Sequence, residues 1–319
     1  MSILSRPEFH DEQAAYDYVE ARLWPNGPTC PRCGEHERVT KMQGKSTRMG
    51  TYKCRACRKP FTVKVSTIFE SSHVPMHLWL QAIYLMCSSK KGISSNQLHR
   101  TLGVTLKTAW FMSHRIREAM RGGKLRPFGT GGGSVEVDET FFGNDRTIKP
   151  KGTKKGRGYH HKFKVLSLVD RETGQAESMV VDSLKSRDLV PILKENIARE
   201  ANVLTDEAAY YQRLGEHFAS HRFVHHGSGV YVSKADKAVH TNTIEGYFSV
   251  FKRGMKGVYQ DCGKEHLHRH LAEFDFRYNH RIALEINNRE RSDIALSRVV
   301  GKRLKYRDSS VKGVSHPTF

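Results

Sequence analysis

The stretch SVEVDETFFGN, residues 134–144, decides how the second half of the chain is read. Val135 and Val137 alternate with Glu136 and Asp138, the period of a half-buried strand. Yet Glu136, Asp138 and Glu139 put three carboxylates within four positions. Carboxylates are poor strand formers and resist burial. The rest of the chain is strongly basic, with 53 Lys and Arg against 33 Asp and Glu, a formal net charge of +20. Acid concentrated at the opening of a sheet in such a protein needs a reason.

The 319 residues are enough for a sizeable core and about two or three domains. The clustered positive excess points to a polyanionic partner, above all nucleic acid. MSILSRPEFHDEQ has no basic region leading into an apolar one, so no signal peptide is read there. HLWLQAIYLMC (77–87) is too short to span a bilayer and carries His77 and Gln81. The expectation is a soluble cytoplasmic protein with no membrane partner. Six cysteines do not make a disulfide scaffold. Cys87 and Cys262 stand alone and read as small core residues.

The other four cysteines form CPRC (30–33) and CRAC (54–57). Two such knuckles can deliver four thiolates to one tetrahedral Zn²⁺. A redox pair would not need a second matching pair. Cys30, Cys33, Cys54 and Cys57 are therefore read as ligands of one structural Zn²⁺. A segment this small needs its metal to hold a core.

Residues 76–120 read as helical. MHLWLQAIYLMCSS (76–89) has an apolar face and follows Pro75. Ser94 or Ser95 can cap a short helix to Leu102, Gly103 can make the turn, and Thr105 can cap a second helix to about Met120. Helix, glycine turn and helix is the arrangement that sets a recognition helix into the major groove. Its candidate DNA contacts are Lys107, Arg115 and Arg117; an ordinary helical hairpin is the plain alternative. RGGKLRPFGTGGGS (121–134) reads as a glycine-rich linker.

Beyond it come strand candidates at 134–142, 161–170 and 177–183, a helix at 186–197 capped by Ser186, and a strand at 202–207. A helical stretch at 211–218, a strand at 221–226 and helices at 242–255 and 264–281 follow. That order fits a mixed α/β sheet covered by helices. Asp138 lies on the first strand, Asp206 closes the fourth, and Glu245 sits near the start of a later helix. If the first and fourth strands are neighbours, the three can converge. Their mutual repulsion is relieved by divalent metal, and oxygen ligands suit Mg²⁺ or Mn²⁺. Two such ions clamp the attacking and leaving oxygens of a phosphodiester displacement. Lys252, seven residues after Glu245, shares its helix face and can hold a phosphate, with Arg253 beside it. The run 149–164 contains Lys154, Lys155 and Arg157 and no acid; it reads as a solvated loop that holds DNA backbone.

These motifs, CPRC/CRAC, VEVDETFFG, LTDEAAYY and HTNTIEGYFSVFKRG, resemble the DDE-class insertion-sequence transposases with an N-terminal zinc ribbon, the ISXO-two-like group. The resemblance spans most of the chain. It implies a prokaryotic, nucleoid-associated protein with an α/β, mixed α+β fold: an RNase H-like core preceded by a zinc ribbon and a helix-turn-helix segment. Domains are expected at 1–69 (ribbon), 70–125 (helix-turn-helix), 126–300 (catalytic) and 301–319 (basic tail). It implies strand cleavage and strand transfer at terminal inverted repeats, two Mg²⁺, no covalent intermediate, target DNA as a further partner, and a homo-oligomer on DNA. Asp138 and Asp206 match the first and second acids. The third position varies in the family between Glu and Asn, so Glu245 is chosen with Asn242 kept open. Glu139 and Glu207 are expected on the opposite face or in solvent. A catalytically inactive, domesticated DNA-binding regulator and a structure-specific nuclease remain as alternatives.

Overall fold

Where the apolar period changes at residue 134, the chain passes from one folded unit to another. The computed structural model describes residues 2–123, 125–145, 159 and 161–304. In chain order the elements are α1 (Glu12–Leu23), β1 (Val39–Lys41), β2 (Tyr52–Cys54), β3 (Pro60–Phe61), α2 (Met76–Ser88), α3 (Ser95–Leu102) and α4 (Leu106–Met120). There follow β4 (Ser134–Phe142), β5 (Phe163–Asp170), β6 (Ala176–Val181), α5 (Ser186–Asn196), β7 (Asn202–Asp206), β8 (Ser220–Val224), α6 (Asn242–Gly254), α7 (Lys264–Asn279) and α8 (Asn288–Ser297). One unit is Met1–Met120 together with the chain from Ile286 onward; the other is Arg121–Glu285.

In the first unit, β1, β2 and β3 form a small antiparallel sheet with Val39 opposite Cys54 and Tyr52 opposite Phe61. Its core is little more than Cys30, Tyr52, Cys54 and Phe61, with Trp24 packed edge-on. Pro75 cannot cap α2, so the Glu12 carboxylate does so from α1, accepting the Met76 and His77 N–H groups at 2.8 and 3.2 Å. Ser94 caps α3 by accepting the Gln97 N–H. Gly103 ends α3 at φ 67°, a left-handed position that favours glycine. Thr105 accepts the Thr108 N–H to open α4. Helix α8, read from the sequence with the catalytic domain, packs on α2 in this unit. An Asn287/Glu290 capping box starts it, and Arg291 donates to the Cys87 carbonyl at 2.8 Å.

The second unit is a five-stranded sheet in the order β6-β5-β4-β7-β8. Central β4 runs antiparallel to β5 and parallel to β7, and β7 runs parallel to β8. Val135 and Val137 join Leu166, Leu168, Leu189 and Leu193 on the α5 face. Phe142, Phe163, Val165 and Val169 join Phe248, Phe251 and Phe274 on the α6/α7 face. Helices cover both sides, the mixed α/β, RNase H-like arrangement that the chain was expected to adopt. Among the described residues, no helix is long and apolar enough to cross a membrane.

Three local expectations change. Ser186 does not cap α5; its hydroxyl donates to the Tyr210 carbonyl. Residues 211–218 hold 3₁₀ turns rather than a helix. The glycine run is not a loose linker. Phe128 is 2% exposed and bonded to the backbone after α5, and Gly129 (φ +70°) lies so close to Ala201 and Val135 that a side chain would collide.

Candidate active site and metal centre

The two CxxC turns bring four sulfurs together. Cys30 and Cys57 Sγ are 3.7 Å apart, Cys33 and Cys54 Sγ 3.6 Å, and all four lie within 4.8 Å of one another. Zn–S bonds of about 2.3 Å in a tetrahedron imply S···S edges of about 3.8 Å, so the cluster fits a closed structural Zn²⁺ site. Among the described residues it is the one group of three or more His, Cys, Asp or Glu able to hold an ion as placed. Cys87 and Cys262 are buried singly.

The parallel ladder of β4 and β7 ends with Glu136 beside Leu204; two residues further along each strand lie Asp138 and Asp206, the latter closing β7, and the Asp206 charge reaches the Asp138 carboxyl. Both point to the α6 face, where Glu245 occupies the first turn of α6. Burial, then the charges of Glu139, Asp206 and Glu245, push the Asp138 carboxyl up to about 8. Burial raises Asp206 as well, against the Ala208 N–H at 3.0 Å and the His226 imidazole. The three carboxylates therefore share one electrostatic site, but like charges do not draw them to a single point. Asn242 stands exposed at the start of α6.

Sequence reasoning missed the residues that hold this site. Glu136 is fully buried on the same face. It accepts Arg171 Nε at 2.7 Å, the Thr243 hydroxyl at 2.7 Å and the Ile244 N–H at 2.8 Å, and so pins the first turn of α6 to β4. Glu139 does turn to the opposite face, where it is clasped by the hydroxyls of Tyr210 and Tyr211. Glu207 accepts the N–H groups of His226 and Gly227 at 2.7 and 2.6 Å. That fixes His226, whose Nε2 stands 3.6 Å from Glu245 Oε1. A carboxylate two residues before Asp138 on an alternating strand was the one signal for Glu136; nothing in the local pattern marked His226.

The candidate DNA contacts separate into two groups. Lys107 is exposed at the start of α4, as are Lys252 and Arg253 at the end of α6. Arg115 and Arg117 are not: they are 5% and 2% exposed. Arg115 donates to the carbonyls of Ile68, Glu70 and Leu304, and Arg117 to the Ser113 hydroxyl. Their guanidinium groups satisfy buried acceptors, so the reading of both as base contacts is corrected. Lys154, Lys155 and Arg157 lie outside the described residues.

Two families match this chain. Residues 10–60 match the transposase zinc-ribbon domain, and residues 131–279 match the ISXO2-like transposase domain. An uncharacterized protein in transposable element ISH50 of Halobacterium salinarum is 28% identical over 280 residues, covering 84% of this chain and 91% of the relative. The four-cysteine cluster lies inside the first match, and Asp138, Asp206 and Glu245 lie inside the second. The zinc ribbon and the helix-covered mixed sheet of this chain thus match, in that order, a transposase zinc-ribbon domain and an ISXO2-like transposase domain.

Proposed function

We propose that the second unit cuts and joins DNA strands at the terminal inverted repeats of an insertion sequence, with Asp138, Asp206 and Glu245 as the metal-binding carboxylates. The observation that carries this is that Asp138 and Asp206 lie on neighbouring parallel strands, just past their last paired residues, and that the charges of Asp206 and Glu245 both act on the Asp138 carboxyl. An all-oxygen donor set fits Mg²⁺ or Mn²⁺, and a carboxyl held near 8 is one that a divalent cation would deprotonate. Two such ions, when bound, activate the attacking oxygen and stabilise the leaving one.

The protein's own residues orient the reaction. Glu136 holds Glu245 in place through the first turn of α6, and Lys252, two turns later on that face, meets a phosphate. Water attacks the scissile phosphorus and the bond to the bridging oxygen breaks, freeing a 3′ hydroxyl. In strand transfer that hydroxyl attacks target DNA in the same way. End recognition falls to the first unit, through exposed Arg100 on α3 and Lys107 on α4 in place of the buried arginines. The basic run 149–164 and the basic tail 301–319 add backbone contacts, and the active species is a homo-oligomer on DNA.

The test is Asp206→Asn, assayed for binding and cleavage on one labelled terminal-repeat duplex. Cleavage in Mg²⁺ falls by several orders of magnitude while binding persists. Cleavage at the wild-type rate would remove Asp206 from the metal site and favour the DNA-binding regulator.

A further inference from the structure

An aromatic side chain beside the acids is not used by the reading so far. Tyr231 is 56% exposed, and its ring is tilted by 42° against His226 with centroids 5.1 Å apart. His226 Nε2 is in turn 3.6 Å from Glu245 Oε1. The ring therefore lies within a nucleotide's reach of the acids and is more than half exposed to solvent. The surroundings are cationic: Lys234 and Lys237 are exposed on the same loop. Arg222 on β8 is spent on Asp236 at 2.6 Å, and that pair neutralises the loop's acid.

The loop is braced at both ends. Glu207 holds the N–H groups of His226 and Gly227. At the far end Val232 bridges His240, and Ser233 N–H reaches the Val239 carbonyl. Arg171 donates to the Ala238 and His240 carbonyls while also holding Glu136. The buried carboxylate that anchors α6 thus also anchors the loop carrying Tyr231. A ring fixed in this way loses little freedom on stacking, which favours a flat ligand.

We propose that Tyr231 is a stacking platform for an unpaired base, and that Lys234 and Lys237 hold the backbone of the same strand. The ligand of this surface is the single-stranded end of a DNA duplex, the state a strand passes through beside a cleavage site. A base presents a π-face to the ring whatever its identity, and phosphates meet the lysines, so the chemistry requires no particular sequence. The proposal rests on the strand-cleavage reading, because it places the unpaired nucleotide next to the scissile phosphate.

The experiment is equilibrium binding by fluorescence anisotropy, at fixed salt, of two probes of arbitrary sequence. One is a labelled duplex with a short 3′ oligothymidylate overhang, the other the blunt duplex. Tyr231→Ala weakens overhang binding by roughly tenfold and changes blunt-duplex binding by less than about twofold. Tyr231→Phe, which keeps the ring, binds both probes as the wild type does. Changing Lys234 and Lys237 to Gln together weakens the overhang probe and lowers its salt dependence. An equal loss on both probes in Tyr231→Ala, or no loss on either, overturns the platform. Because this is binding and not cleavage, it is decided independently of Asp206→Asn: loss of the catalytic reading there would leave the overhang result standing on its own.

Discussion

The four-cysteine cluster and the proposed acid site are built on opposite plans. In the ribbon the ligands are the structure: two of its four buried core residues, Cys30 and Cys54, are themselves cysteines. Three short strands of three, three and two residues have little else to bury. At the acid site the ligands are supported by a scaffold that does not depend on them, since apolar cores fill both faces of the sheet. Four sulfurs gather within 4.8 Å, whereas the carboxylates form no such cluster among the described residues, and the charges of Asp206 and Glu245 push the Asp138 carboxyl up. A structural site needs metal to fold, and a catalytic site needs a fold to keep its charges poised.

The sharpest way to break this contrast is to remove one ligand from each centre. Cys54→Ser should release the single Zn²⁺ of the ribbon and unfold it, because metal binding there is folding energy. Native mass spectrometry should lose one zinc per chain, and hydrogen exchange should lose protection around 39–61 but keep it across the sheet of the second unit. Asp206→Asn should leave both intact while abolishing cleavage. Retained zinc, or simultaneous collapse of both units, would contradict the division.

A smaller effect is expected at the support. Glu136→Ala leaves Arg171 and the first turn of α6 without their buried acceptor and should cost about 3 kcal/mol in denaturant unfolding. It should also lower cleavage, although Glu136 is assigned no metal. Wild-type stability would mean that α6 is held by its apolar face alone.

The smallest effect is titration. With its carboxyl at about 8 rather than 3.8, folded Asp138 binds more protons than the unfolded chain between those values. Its contribution to stability therefore falls as pH rises through that window. A divalent ion must displace the same proton, so Mg²⁺ affinity should rise up to about pH 8 by at most about tenfold per unit, then level off. Calorimetry should find proton release at pH 7, and Asp138→Asn should remove it.

What could be read from the sequence was whatever is local. The CxxC pairs, the alternating valines of β4 and the caps at Ser94 and Thr105 are each decided within a few positions. The convergence of Asp138 with Asp206 could be stated as a condition on strand order, and the parallel pairing of β4 with β7 meets it. The misread residues depend on distant partners. Arg115 looked like a base reader because the carbonyls of Ile68 and Leu304 that satisfy it come from far along the chain. Glu136 looked like one of three similar acids until Arg171 and Thr243 singled it out. The glycines at 129–133 resembled a linker because close backbone approach and flexibility call for the same residue.

The return of α8 to the first unit has a consequence for synthesis on the ribosome. Its Arg291 closes on the Cys87 carbonyl, its Asp293 on Arg22 at 2.7 Å, and Thr67 bridges Val300 just beyond it. Arg291, Asp293 and Val300 do not exist until Arg121–Glu285 has been translated, which takes on the order of ten to thirty seconds. During that interval the side of α2 destined for α8 is uncovered. The unit built on the five-stranded sheet is thus finished before the unit that precedes it, and the first-made segment is the last to reach its native state.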